Sequence, residues 1–172
     1  VSSLVRSLIE RNIETEENSE KIVRLSKRMG ERLKLQENRI EELELLARLH
    51  DIGKVAISES ILKKRRSLDG EEWDEVKKHA EIGYRIAKTS TLLSSIAEYI
   101  LCHHEWWDGS GYPRNLKGEE IPLISRILAI VDSYQAMISK RPYRKAMTPE
   151  EAAGELKKCS GTQFDPGLVT GF

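Results

Sequence analysis

The residues best suited to chemistry in this sequence are a small set of imidazoles and carboxylates. The chain contains only four histidines. One acid directly follows a histidine, and another follows the apolar run 127–131. The six residues are His50, His79, His103, His104, Asp51 and Asp132. An unpaired carboxylate in apolar surroundings is costly to bury, and a metal ion at contact distance removes that cost.

Imidazole and carboxylate together are typical ligands of divalent transition metals, so iron, manganese, nickel and zinc are all candidates. The two oxygens of Asp51 could bridge two ions. Two ions about 3.5–4 Å apart lower the pKa of a bridging water and hold a phosphodiester for in-line attack. Taken singly, each residue has a simpler explanation: a lone buried histidine is more often a hydrogen-bonded core group, and Asp132 could pair with an arginine. Only the complete set favours a metal site.

The spacing limits how these side chains share ions. Neighbours in a regular helix point about 100° apart. The pairs 50–51 and 103–104 therefore cannot each serve a single ion inside an undistorted helix. Either the members of a pair bind different ions, or they lie where the helix unwinds. Both pairs are close to helix breakers, Gly53 and the segment 107–113.

Apolar residues recur at helical spacing along most of the chain, which predicts an all-α fold, a single helical bundle without strands. Asp69 with Glu72 resembles a capping box, and Thr148 before Pro149 is a typical helix start. Gly53 is predicted to end the second helix. One long helix or two abutting helices are predicted up to about residue 30. Further helices are predicted at 37–50, 58–62, 69–88, 92–104 and 123–139, with a short one from 148 and a last one within 161–172. A loop is predicted at 107–122.

Composition describes one helix-rich domain rather than a disordered or membrane chain. The 172 residues are 39% hydrophobic and 33% charged with a formal net charge of zero, so nothing global favours nucleic acid or a membrane surface. No apolar run approaches the roughly 20 residues that cross a bilayer. We expect a cytoplasmic protein with two reduced cysteines. Residues 1–12 are predicted to be a helical connector from an upstream domain, and residues 13–172 to be the domain that carries the site.

Two segments resemble the motifs of a known family. His50-Asp51-Ile52-Gly53-Lys54 is similar to the signature of the HD superfamily of metal-dependent phosphohydrolases. The segment 103–113, HHEWWDGSGYP, resembles the loop that defines the HD-GYP subfamily. Further similarity runs through 116–122, 132–134, 141–146 and 161–166. Together the resemblance covers nearly everything from residue 14 onward.

HD-GYP domains are bacterial phosphodiesterases that degrade cyclic di-GMP to pGpG and often on to GMP. The resemblance implies two or three divalent ions, iron or manganese before nickel or zinc, an upstream sensory or receiver domain, and a homodimer as one arrangement. It also implies roles for individual residues. The expected metal ligands are His50, Asp51, His79, His103, His104 and Asp132; the expected catalytic residues are Asp51 and Lys54; the expected substrate contacts are Arg141, Arg144, Trp107 and Gln135.

Three positions depart from the family pattern. Asn18 stands where the family has a histidine ligand, and an amide oxygen is a poorer ligand than imidazole for these metals. Either one ion is held weakly, or Glu14 compensates from one helical turn away, so both residues are candidate ligands. Gln135 replaces a common acid. The basic cluster 63–66 replaces a turn and is either a solvated loop or an attraction for an anionic substrate.

Several functions stay open on this basis. A cyclic di-GMP phosphodiesterase is the leading expectation. Asn18 motivates a degenerate HD-GYP domain that binds a ligand or partner with weak or no hydrolysis. A third alternative is an HD phosphohydrolase for another nucleotide, such as a mixed cyclic dinucleotide. A purely structural helical module would leave the histidines and Asp132 unexplained.

Overall fold

The computed structural model describes residues 16–64, 66–139 and 145–172. Within those residues the chain is helical, and its one extended pairing is an isolated bridge between Ser160 and Phe164. The helices are α1 (Glu16–Arg32), α2 (Glu37–Leu49), α3 (Glu59–Leu62), α4 (Gly70–Lys77), α5 (His79–Lys88), α6 (Ala97–Leu101), α7 (Leu123–Ile138), α8 (Pro149–Lys158) and α9 (Pro166–Gly171). Short 3₁₀ turns cover Ile52–Ala56, Ser94–Ile96 and Gly118–Glu120.

This architecture confirms the all-α prediction. The connector predicted at 1–12 lies outside the described residues, so the division of the chain at residue 12 stays a prediction. Among the helices that the structure describes, none is both long and apolar enough to cross a membrane.

The core forms where α1, α2 and α7 pack against one another. α7 is apolar around most of its circumference, as expected for a helix at the centre of a domain. Its fully buried side chains are Ile124, Ile127, Leu128, Ile130 and Val131. Burial of each such side chain contributes roughly 1.5–3 kcal/mol. Asp132 directly follows this buried stretch, so the core fixes the position of its backbone.

Local sequence sets two of the helix starts as predicted. At α4, Asp69 Oδ1 accepts a hydrogen bond from the Glu72 amide at 3.0 Å, and the Glu72 carboxylate accepts one from the Asp69 amide at 3.1 Å. Thr148 and Glu151 form the same reciprocal pair at α8. Each capping box satisfies two amides that lack a partner within the helix.

Two predicted helices are shorter than expected, and a histidine stands at each break. The segment 69–88 forms two helices that meet at Lys78, and the segment 92–104 yields only a 3₁₀ turn and the five-residue α6. At these breaks, His79 Nδ1 lies 2.7 Å from the Val76 carbonyl and His103 Nδ1 lies 2.5 Å from the Ile100 carbonyl. The last carbonyls of a helix lack intrahelical donors, and these imidazoles supply them.

The role predicted for Gly53 is wrong. α2 ends at Leu49, and Gly53 lies inside the 3₁₀ turn Ile52–Ala56, which packs against α5. A Cβ at this position would come within 1.9 Å of the His79 carbonyl oxygen and 2.7 Å of the Gly83 nitrogen. Only glycine allows this backbone contact. It brings the segment that follows α2 directly against the start of α5.

We predict that Gly53→Ala lowers the free energy of unfolding by about 1–3 kcal/mol or more, because the added methyl forces two backbones apart. Urea denaturation measures the effect. Gly154→Ala is the matched control: no atom lies within 4 Å of its added Cβ in α8, and alanine in a helix gains about 0.5–1 kcal/mol over glycine. Equal effects of the two substitutions would contradict the close-contact explanation.

Candidate metal centre

Three of the four histidines are oriented by one repeated device, a contact from Nδ1 to the carbonyl three residues earlier. The pairs are His50 with Ala47 at 3.1 Å, His79 with Val76 at 2.7 Å and His103 with Ile100 at 2.5 Å. A carbonyl can only accept, so each Nδ1 carries the proton and each Nε2 presents a lone pair. A neutral imidazole held in this way is the form that binds a metal.

The free nitrogens converge. Nε2 of His79 and Nε2 of His103 are 3.3 Å apart, and Asp51 Oδ1 is 3.5 Å from His79 Nε2. With both protons on Nδ1, the two nitrogens face each other as lone pairs rather than as a hydrogen bond. Nitrogen ligands about 2.0–2.1 Å from one ion stand roughly 3.0–3.4 Å apart, so the observed spacing suits a shared cation.

His104 completes this first group. Its ring centroid lies 3.9 Å from that of His103 and 5.0 Å from that of His79. The ligand atoms of Asp51, His79, His103 and His104 all lie within 4.8 Å of one another. The structure therefore brings four of the predicted ligands together from three separate segments of the chain.

The second carboxylate oxygen of Asp51 faces a different set of partners. His50 Nε2 is 3.6 Å from Asp51 Oδ2 and 4.0 Å from Asp132 Oδ1. The sequence context of Asp132, next to an apolar run, suggested a buried carboxylate. In the structure its side chain is 30% exposed. α7 turns this position toward the site while its apolar faces stay in the core. Asp51 thus lies between two groups of ligand atoms.

The Asp51 side chain is buried, with 4% exposure, and its two oxygens have different partners. Oδ2 is paired with the Lys54 ammonium, whereas Oδ1 accepts no hydrogen bond within the part of the chain that the structure describes. Burial raises the pKa of this carboxyl, but nearby positive charge, above all the Lys54 ammonium, holds the pKa well below its usual range. A buried ionised oxygen without a donor is strongly unfavourable. The residues present therefore fit a divalent cation at Oδ1.

The imidazoles are electrostatically prepared for the same role. Burial lowers the pKa of His79, lowers the pKa of His103 well below its ordinary value and lowers the pKa of His104 to about 3. Repulsion between neighbouring imidazoles acts in the same direction. These rings are therefore neutral at pH 7, and they repel neither one another nor an incoming cation as imidazolium ions would.

The structure also decides how neighbouring residues can both face the site. His50 follows the last residue of α2, and Asp51 has φ −93° and ψ 7°, outside regular helix. His103 and His104 both follow the end of α6 at Leu101. Of the two arrangements that the sequence left open, the pairs lie where the helix unwinds.

Asn18 lies beside the end of α7. Its Oδ1 is 3.5 Å from the Ser139 hydroxyl, which accepts a 3.0 Å hydrogen bond from Gln135 Nε2. Gln135 is itself only 4% exposed. The ligand role of Asn18 and the substrate role of Gln135 both stay predictions, and this polar chain occupies the two amides.

The other residues predicted to contact substrate or metal are Trp107, the basic cluster 63–66, Glu14, Arg141 and Arg144. Trp107 packs under the Arg126 guanidinium, 5.6 Å from the ring centroid, and its amide donates to the Gln163 carbonyl. This contact ties the loop to the C-terminal segment, and a stacking role toward substrate stays a prediction. Lys63 pairs with Glu59 and Lys64 pairs with Glu72, and the role of the basic cluster stays a prediction. Glu14, Arg141 and Arg144 lie outside the described residues.

Sequence reasoning did not single out Glu105, although its side chain is only 3% exposed. Its carboxylate accepts hydrogen bonds from the amides of Arg114 at 2.6 Å and Leu116 at 3.0 Å. The signal that could have found it is an acid directly after two histidines and before two tryptophans. Such a residue needs donors if it is buried, and the turn-rich segment that follows supplies them.

Comparison with solved structures supports the fold. A cyclic GMP-AMP-specific phosphodiesterase from Vibrio cholerae superposes with a TM-score of 0.74 at 25% identity, covering 98% of this chain and 46% of that chain. An HD-GYP protein from Bdellovibrio bacteriovorus superposes with a TM-score of 0.70 at 18% identity, covering 90% of this chain and 49% of that chain.

Comparison of sequences identifies the family. The chain is 43% identical over 164 residues to a cyclic di-GMP phosphodiesterase of Thermotoga maritima, covering 94% of this chain and 45% of the relative. It is 37% identical over 171 residues to the 3'3'-cGAMP-specific phosphodiesterase 2 of Vibrio cholerae, covering 98% of this chain and 33% of the relative. The chain thus spans less than half the length of either relative. Residues 3–168 match the model of the HD domain, and the chain belongs to that family, in its HD-GYP branch.

Proposed function

We propose that this chain is a metal-dependent phosphodiesterase domain that hydrolyses cyclic di-GMP to pGpG, GMP or both, in bacterial signalling. The observation that carries the proposal is Asp51. Among the residues that the structure describes, one of its buried oxygens accepts no hydrogen bond and lies beside an imidazole nitrogen, and the other faces His50 and Lys54. The substrate is supported by the Thermotoga maritima relative, which is named a cyclic di-GMP phosphodiesterase.

The proposed ligands form two groups that share Asp51. The first group is Asp51 Oδ1 with His79, His103 and His104, and the second is Asp51 Oδ2 with His50 and Asp132. Two divalent ions suit this division, iron or manganese before nickel or zinc; a third ion requires Glu14. Bound there, the ions supply positive charge to a phosphodiester and lower the pKa of water.

The chain's own residues do the positioning. The three Nδ1 contacts hold His50, His79 and His103 with Nε2 turned inward, so little reorganisation is needed on binding. Lys54 keeps Asp51 ionised, and its side chain is 28% exposed. An ammonium at the mouth of the site can contact a substrate phosphate and stabilise the charge that develops on it. Arg141, Arg144, Trp107 and Gln135 are the proposed further contacts to the dinucleotide.

The setting that we propose is the cytoplasm of a bacterium, with a sensory or receiver domain upstream and a homodimer as one assembly. The HD-GYP branch supports this setting. The net charge of zero supports a small-molecule substrate recognised locally over a nucleic-acid partner.

We predict that Asp51→Ala abolishes both metal content and turnover, because the two proposed groups of ligands share it, and that His50→Ala lowers metal content and abolishes turnover, because it removes a ligand of the second group. Elemental analysis and product chromatography measure the two quantities after anaerobic loading with iron or manganese. Both cyclic di-GMP and 3'3'-cGAMP are assayed, since one relative is named for the mixed dinucleotide. Glu59→Gln, an exposed acid paired with Lys63, is the control and should change neither. Turnover that persists in both ligand variants would place the chemistry elsewhere.

The second candidate function is a domain that binds its ligand but hydrolyses it weakly or not at all. The contact of Asn18 Oδ1 with the Ser139 hydroxyl favours it, because that oxygen already has a partner other than a metal. We predict that Asn18→His raises metal content and turnover together, since imidazole is the better ligand for these metals. Asn18→Gln keeps an amide and is the control. If Asn18→His changes neither quantity, position 18 is not part of the metal site.

The metal-free protein should lose stability as the pH falls. The native pKa values of His103 and His104 lie below the unfolded value of about 6.5, so between these values the unfolded chain binds more protons. Each such histidine then removes about 1.4 kcal/mol of stability per pH unit, beginning near pH 6.5 and continuing toward the native pKa. Urea denaturation with a chelator at pH 7, 6 and 5 measures the slope. His104→Gln should reduce it by about 1.4 kcal/mol per pH unit, whereas an unchanged slope would contradict the assignment.

A further inference from the structure

We propose that Glu105 is a positioning residue whose buried carboxylate fixes the segment 111–116, so that the Tyr112 ring holds His104 in the orientation a metal ligand requires. The inference rests on the proposed metal site and concerns His104, the one proposed histidine ligand whose ring makes no hydrogen bond within the described residues.

The carboxylate of Glu105 is held by backbone amides of the turn that follows it. It accepts from the amides of Arg114 and Leu116, which flank Asn115. Asn115 has φ 55°, in the left-handed region that asparagine tolerates better than most residues. A turn of this kind points alternate amides toward one centre and forms an anion-binding concavity. Because Glu105 is 3% exposed, water competes little for these bonds.

Gly111 fixes the other end of the same segment. A Cβ on Gly111 would come within 2.2 Å of the Trp106 nitrogen and 2.5 Å of the Glu105 Cα, so the backbone at 111 lies directly against the backbone at 105–106. Asn115 Nδ2 also donates to the Gly111 carbonyl at 2.6 Å. The segment is therefore anchored to Glu105 on both sides of Tyr112.

Tyr112, which lies within this anchored segment, contacts His104. The Tyr112 amide donates to the His104 carbonyl at 3.2 Å, and the two rings stack with centroids 5.0 Å apart and planes 29° from parallel. The other three histidines each have an Nδ1 contact with a helical carbonyl. Within the described residues the His104 ring makes no such contact, so its packing against Tyr112, His79 and His103 sets its direction.

The first test follows the histidine rings of the metal-free protein by NMR. Four histidines give four sets of ring signals, which single His→Gln variants assign. Glu105→Ala should move the His104 signals, because the Tyr112 ring current changes, and leave those of His50 in place. Gly111→Ala should give the same pattern with Glu105 intact. Glu98→Ala is the matched control: it removes the exposed carboxylate that accepts from the Arg114 side chain at 3.0 Å, and no ring signal should move.

The second test separates positioning from general stabilisation. Titration with Mn²⁺ alone should show about a tenfold or greater loss of affinity in Glu105→Ala, the effect typical of groups that orient a ligand, and none in Glu98→Ala. Glu105→Gln retains one acceptor oxygen and should lie between. Tyr112→Leu should reproduce the loss, and adding Glu105→Ala to it should cause no further loss.

Two results would overturn the proposal. One is a folded Glu105→Ala, Glu105→Gln or Gly111→Ala protein with unmoved His104 signals. The other is an equal displacement of the His50 signals, which indicates loosening of the whole domain. If Glu105→Ala does not fold, the Gln and Gly111 variants decide. Absence of cyclic dinucleotide hydrolysis would contradict the proposed function. The His104 signals of the metal-free protein would still test the positioning role of Glu105.

Discussion

The burial of one ionised carboxylate is the constraint on which this structure depends. Asp51 lies inside the domain at 4% exposure with one oxygen on Lys54 and the other without a donor in the described chain. A single ammonium cannot satisfy both oxygens, and the nearest groups on the open side are imidazoles whose lone pairs point inward. The fold therefore keeps a buried negative charge that a bound cation would stabilise. Such a charge is expected at a metal-binding site and does not stabilise the core.

Helix ends position the histidines of the candidate site. α2 ends before His50, α4 gives way to α5 at His79, and α6 ends before His103. At each end the imidazole satisfies a carbonyl that the helix leaves without a donor, and the same contact fixes which nitrogen faces the centre. The contact at each helix end is therefore also the contact that orients the candidate ligand. The central helix α7 adds Asp132 from its face, directly after a fully buried stretch.

Much of this could be predicted from local sequence. The helical periods, the capping boxes at Asp69 and Thr148, and the set of histidines and acids all depend on residues close together in the chain. The resemblance of the segments 50–54 and 103–113 supplied the family. These signals are short-range, so a single sequence carries them in readable form.

The parts that sequence reasoning missed depend on contacts that helical periodicity does not encode. Gly53 looked like a helix end, but its requirement comes from the His79 carbonyl 26 positions later in the chain. The breaks at Lys78 and Leu101 come from imidazole contacts that compete with a strong helical period. Asp132 was expected to be buried, yet the direction of α7 exposes part of it. The Glu105 carboxylate looked ordinary because its partners are amides of a turn that only the folded loop creates.

The proposed site requires that cations bind between Asp51 and the imidazoles. An anomalous difference map from crystals of anaerobically purified protein, collected on both sides of the absorption edge of the bound metal, shows whether they do. We expect a peak in contact with Asp51 Oδ1, His79 and His103, and a second in contact with Asp51 Oδ2 and His50. A well-ordered Asp51 with water alone beside Oδ1, in crystals soaked with Mn²⁺, would contradict it.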